Sequence, residues 1–171
     1  MNEKTKNRDK KSDKTYKNTE FLENNTNFLK SKIKPNIDNT WTIHDIVSKW
    51  QPNGWENVFE FSIENLKDIS EKLEKRNSSH GHFVPNKINL FKSFELTPLH
   101  KVKVVIIGQD PYYTLYSDKT PVATGSAFST LRGRKIQPSL QNIFNEIKRT
   151  EDNFCKPNHG DLTNWQKQGV L

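Results

Sequence analysis

Apolar residues begin to recur with a helical period just after Trp41. Ile43, Ile46, Val47 and Trp50 fall at i, i+3, i+4 and i+7, one face of an α-helix. Thr42 stands in the N-cap position, and Asp45 three residues on completes a capping-box pattern. Pro52-Asn53-Gly54 predicts a turn. Beyond it Phe59, Ile63, Leu66 and Leu73 predict a second helix over about 55–75, broken by Asn77-Ser78-Ser79-His80-Gly81-His82. The pattern changes at Val102. Val102-Lys103-Val104-Val105-Ile106-Ile107 is short, β-branched and nearly continuous in its apolar character. Such runs read as strands buried on both faces, as in the parallel sheet of an α/β protein. A later helix is predicted by Leu140, Ile143, Phe144 and Ile147, again at i, i+3, i+4 and i+7, with Ser139 a natural N-cap.

Ahead of Trp41 no such period holds. Residues 1–40 carry ten Lys/Arg against six Asp/Glu, so that +4 of the formal +7 sits there. The stretch is crowded with Asn and Thr, and Phe21, Leu22, Phe28, Leu29 and Ile33 are scattered through it. It cannot bury enough surface to offset the entropy of ordering, which predicts a disordered basic extension over 1–40 and a domain over 41–171. A basic arm that steers onto DNA, or a localisation signal around Arg8-Asp9-Lys10-Lys11, are two uses for it. So mixed a charge pattern favours a plain solubilising extension. Its Lys and Asn content suits a large DNA virus or another A+T-rich genome.

Composition narrows the partners. Only 32% of residues are hydrophobic and 27% are charged, and the +7 charge with a pI near 9.4 favours an acidic partner, nucleic acid being the commonest. Many basic soluble proteins nevertheless bind nothing acidic. The single cysteine, Cys155, excludes an internal disulfide framework and a multi-cysteine zinc site, and fits a reducing compartment. His80 and His82 lie in a polar stretch without further ligands and read as surface loop, so no metal and no cofactor is expected. No apolar run approaches membrane-spanning length, and the N-terminus lacks the apolar core of a secretory signal. The expected setting is intracellular, in the nucleus or cytoplasm, without membrane contact.

Candidate chemistry clusters after the apolar run. In open α/β sheets ligands bind beyond the carboxyl ends of strands, which makes Asp110 a candidate functional carboxylate, or simply the residue that caps the turn. Pro111 fixes its own φ and biases Asp110 away from the helical region. Tyr112 and Tyr113 set two aromatic groups beside the carboxylate, and Gly125-Ser126-Ala127-Phe128-Ser129 offers a third among small residues. A carboxylate with aromatic walls suits a planar base or a sugar, although Phe128 taken alone reads as core.

Four segments together resemble the main family of uracil-DNA glycosylases. Val104-Val105-Ile106-Ile107-Gly108-Gln109-Asp110-Pro111-Tyr112 resembles the family's water-activating loop, and Gly125-Ser126-Ala127-Phe128-Ser129 its uracil-stacking segment. Pro138-Ser139-Leu140-Gln141-Asn142-Ile143 resembles its DNA-backbone-pinching loop, and the run from His159 to Leu171 its approach to the next core strand. The similarity covers about residues 83–171. It implies a three-layer α/β/α fold around a parallel sheet, of which this chain holds the N-terminal part.

The resemblance also implies a reaction and a cast of residues. Uracil is flipped out of DNA, single- or double-stranded, and its N-glycosidic bond is hydrolysed to leave an abasic site. Asp110 would stabilise the oxocarbenium-like sugar and orient water, and the Gln109 and Asp110 amides would meet uracil O2. Phe128 would stack on the base, while Tyr112 would fill the space beside C5 and exclude thymine's methyl group. Pro138, Ser139 and Tyr113 would contact the DNA backbone, with Arg132, Arg134 and Lys135 beside them. Tyr113 stands where the family usually has histidine, and the 114–124 loop is longer than usual and lacks the common glycines. The family's asparagine-ended strand and His-Pro-Ser segment would follow Leu171. On that reading the 171 residues alone are a poorly folded, catalytically feeble half, or a basic DNA-binding remnant, with 102–107 keeping unpaired backbone groups; completed, the protein would be a monomer.

Overall fold

A computed structural model describes residues 33–38, 40–80 and 83–171. The expectations for 1–32, and for Gly81 and His82, lie outside the described residues. Helix α1 spans Ile43–Lys49, and its start is the one the pattern predicts. Thr42 Oγ accepts from the Asp45 amide at 3.0 Å, and the Asp45 carboxylate accepts from the Thr42 amide at 2.9 Å. The expected single second helix is two, α2 over Glu56–Phe61 and α3 over Ile63–His80. The break at Ser62 is shallow, because Ser62 still donates to Val58 O and Leu66 to Ser62 O. The helix also runs through Asn77-Ser78-Ser79-His80 instead of breaking there. None of these polar residues costs more than a few tenths of a kcal/mol against better helix formers, roughly, and the glycine follows them.

α1 packs on α3, and Ile37, Ile43, Ile46, Val47, Trp50, Trp55, Phe59 and Phe91 form one buried cluster. Its aromatic rings meet edge to face, Phe59 to Phe91 at 4.9 Å and Trp55 to Phe94 at 4.8 Å. Trp55 Nε1 donates to Thr97 O at 2.9 Å in the interior, which ties α2 to the end of α4 (Lys92–Leu96). Packing begins ahead of Trp41, earlier than the composition predicts. Ile37 is buried, and the Lys34 ammonium pairs with Glu95 and the Ile88 carbonyl while lying 5.0 Å from the Trp50 ring centre. A second, smaller cluster of Leu140, Phe144 and Leu162 lies under α5 (Pro138–Thr150) and α6 (Thr163–Lys167), joined by Phe128, Ile136, Ile143, Phe154 and Trp165.

Residues 102–107 are extended but not buried on both faces. Val104, Val105 and Ile107 are at least half exposed. Their neighbour is 169–171. Lys103 N and Val104 N reach Gly169 O, Ile106 N reaches Leu171 O at 2.8 Å, and Leu171 N returns to Val104 O at 2.8 Å. The hydrogen bonds to 169–171 thus pair this segment along one edge. A strand is covered only by the neighbours it has, and the pairing here is a single parallel bridge, Val104 with Val170. Among the described residues no helix is long and apolar enough to cross a membrane.

Candidate functional site

The extended segment delivers the chain into an exposed bend at Gln109 and Asp110. Asp110 makes no hydrogen bond or ion pair among the described residues, so its carboxylate does not cap the turn. Pro111 follows and Tyr112 turns inward. Tyr112 Oη lies 2.7 Å from Ser139 Oγ and donates a long bond of 3.5 Å to Phe128 O. Three residues singled out from separate segments thus converge on one spot. Tyr113 is 86% exposed, and Pro138 is also at the surface.

Ser139 does not cap its helix. The N-cap is Gln137, with Pro138 in the first turn, and no side chain satisfies the N-terminal amides. Proline suits the first helical position because its φ is preset and its missing N–H would have had no partner. This shifts the helix start back and leaves the Ser139 hydroxyl to meet Tyr112.

Phe128 holds the left-handed backbone conformation at φ 59°, a strained choice for an aromatic residue. A frame of polar contacts keeps it there. Ser129 N donates to Ser126 O at 3.2 Å, Ser129 Oγ accepts from Leu162 N at 3.0 Å, and Thr130 N donates to Gly160 O at 2.8 Å. Behind the loop, Gln166 Nε2 donates to Ser126 Oγ at 2.9 Å and Ser93 Oγ to Gly125 O at 3.0 Å. Two glycines permit this approach. A Cβ on Gly125 would come within 1.8 Å of Asn89 O, and one on Gly160 within 2.2 Å of Thr130 Oγ1. The ring of Phe128 packs partly against the Leu140–Phe144–Leu162 cluster, so it belongs to the core and to the site surface alike.

The basic residues upstream of Ser139 are less free than their sequence suggests. Arg132 lies 2.9 Å from His159 Nε2 and 3.7 Å from Asp161, and Arg134 pairs with Asp118. Burial alone would raise the Asp161 pKa, but hydrogen bonds from Thr163 and the nearby Arg132 charge hold it below the ordinary carboxylate value. A cavity of about 280 Å³ opens beside Lys92, Ser129, Arg132 and Asp161, and a space of about 10 Å³ lies between Ser126 and Trp165. Neither is lined by Asp110, Tyr112 or Phe128. The polar frame of Ser93, Gln166 and Gly160 was not visible in the pattern, since its partners are 31 to 73 residues apart.

No family model matches the chain. Individual proteins do. A curated uracil-DNA glycosylase of Francisella tularensis subsp. tularensis is 50% identical over 106 residues, 62% of this chain and 46% of that protein. One of Campylobacter concisus is 43% identical over 119 residues, 68% of this chain and 49% of that protein. The matched region is similar to uracil-DNA glycosylases. Structure agrees, since the crystal structure of mimivirus uracil-DNA glycosylase superposes with a TM-score of 0.64 at 29% identity, covering 68% of this chain and 43% of that one. The chain spans about half the length of the curated relatives it matches.

Proposed function

We propose that the chain carries the water-activating and base-stacking part of a uracil-DNA glycosylase site, an enzyme that hydrolyses the N-glycosidic bond of uracil in DNA for base-excision repair. The observation that carries this reading is the convergence of Tyr112, Phe128 and Ser139 next to the unengaged Asp110 carboxylate. In this reading 102–107 is a strand of the central parallel sheet of a three-layer α/β/α domain. The place of action is wherever the DNA is copied, nucleus or cytoplasm.

The chemistry follows from charge. As the glycosidic bond breaks, the sugar becomes oxocarbenium-like, and a carboxylate beside it stabilises that charge and orients water. Asp110 is solvent-facing and unpaired among the described residues, which leaves both its oxygens for these tasks. The departing base gathers negative charge at O2, where the Gln109 and Asp110 amides in the bend would donate. Phe128 offers a ring face, and Tyr112 beside it a steric wall against a C5 methyl group. Pro138, the Ser139 hydroxyl, the first amides of α5 and the exposed Tyr113 suit a DNA phosphate backbone.

The test is release of uracil from a single-stranded uracil-containing oligonucleotide, by this chain and by the chain joined to the remaining half of a curated relative. The joined form should release uracil, and Asp110→Asn should cut its rate by about 10³-fold, as for loss of one transition-state donor. An unchanged rate would refute the role of Asp110. A second reading, a basic module that binds DNA without catalysis, draws on the exposure of Asp110, because catalytic electrostatics gain strength from excluding water. It would show as salt-sensitive binding with no preference for uracil and no release by the joined form.

A further inference from the structure

Residues 114–122 fold back as a hairpin between two walls of the proposed site. Leu115 and Pro121 bridge antiparallel, Tyr116 N donates to Thr120 O at 2.8 Å, and Val122 N donates to Thr114 O at 3.1 Å. The turn passes through Lys119 at φ 64°, and Asp118 Oδ1 accepts from Thr120 N at 3.0 Å. The chain enters this hairpin from Tyr112 and leaves it towards Phe128. A two-stranded hairpin is marginal in water by itself, so its order here calls for an outside tether. The structure supplies one. The Arg134 guanidinium lies 4.6 Å from the Tyr116 ring centre and pairs with the Asp118 carboxylate. Arg134 itself sits in the loop that leads to Pro138 and Ser139.

We infer that Tyr116, Asp118 and Arg134 are positioning residues, a clamp that holds the loop carrying Tyr112 against the loop carrying Ser139 and so sets the wall that faces the base. The inference rests on the proposed reading of Tyr112 and Phe128 as walls of a uracil site. It also reassigns Arg134. A guanidinium stacked on one side chain and paired with another is committed to the protein, and it does not serve as a phosphate ligand. The hydrogen bonds to Asp118 from the Thr120 amide and from Arg134 bring its pKa down to about 2, so the pair stays charged across the neutral range.

Two measurements on the full chain decide the matter. Hydrogen exchange needs no ligand. Asp118→Asn and Arg134→Gln should each speed exchange of the Tyr116, Lys119 and Val122 amides by about 3- to 10-fold, the scale of a half-exposed ion pair with a stacked cation. The α5 amides should not change, the double variant should do no more than either single one, and Arg134→Lys should fall between. The second measurement is the salt dependence of binding to a single-stranded uracil oligonucleotide and its thymine counterpart. A clamp predicts that both variants lose uracil preference alike while the salt slope is unchanged. If Arg134 instead lowers the slope by about 0.7 when removed, and Asp118→Asn tightens binding, it is a phosphate ligand and the inference is overturned. Unchanged exchange in both variants overturns it as well. A chain that shows no uracil preference to begin with refutes the reading of the walls, and exchange alone then decides whether the clamp exists.

Discussion

Around α1, Ile43, Ile46 and Val47 are shut away from water, with Trp50, Trp55 and Phe59 closing the same cluster. Along 102–107, Val104, Val105 and Ile107 are half-exposed or more, although they are no less apolar. The two regions differ in where their backbone bonds are made. A helix satisfies its own amides and carbonyls and needs company only along one face. An extended segment needs neighbours on both edges and cover on both faces, and this one has 169–171 along one edge. Hydrophobicity places a residue inside only where the backbone has somewhere to go.

The contrast can be broken by substitution, and the largest effect belongs to the helical region. Phe59→Ala should cost about 3–5 kcal/mol, because it empties a buried site where two other phenyl rings meet it edge to face, and urea unfolding would read it. Trp55→Phe should cost about 1–3 kcal/mol, since the buried Thr97 carbonyl loses the indole donor, and thermal unfolding would show it. Thr42→Ala removes the α1 cap and should cost about 1 kcal/mol at neutral pH. Bonds from the Thr42 hydroxyl and amide lower the pKa of Asp45 in the folded chain. A lowered carboxylate pKa contributes stability above its unfolded value and loses it as pH falls through the folded one. The gap between wild type and Thr42→Ala should therefore hold from neutral pH down to the ordinary carboxylate range, then shrink in more acid solution. Smallest of all, Val105→Thr and Ile107→Thr should change stability by no more than about 0.5 kcal/mol. A cost like that of Phe59→Ala at either position would mean that the segment is covered in solution, and the contrast would fall.

What could be read from the chain follows the same division. The capping box of α1 and the face of α5 were legible because every partner lies within a turn or two. The break at Ser62 was not, since it costs almost no hydrogen bonds and leaves the apolar period intact. Nor was the true start of α5, where Pro138 outcompeted Ser139 for the first turn. Site residues were legible as types in three segments, but their meeting was not. The 2.7 Å contact of Tyr112 with Ser139 spans 27 positions, and Arg134 finds Asp118 across 16. No local pattern encodes such pairs. The Phe128 loop likewise depends on close approaches at Gly125 and Gly160, which the sequence marks only as two glycines among seven.

The open ribbon of 102–107 has a colloidal consequence. An extended apolar edge will accept a strand from any other molecule that offers one, so the tendency to associate rises with concentration. Against this stands the formal charge of +7, which keeps like molecules apart in dilute buffer. Added salt shortens the reach of that repulsion to about 10 Å at 0.1 M and leaves the apolar attraction in place. The ionic strength at which that repulsion is screened is therefore also the one at which its molecules begin to find each other.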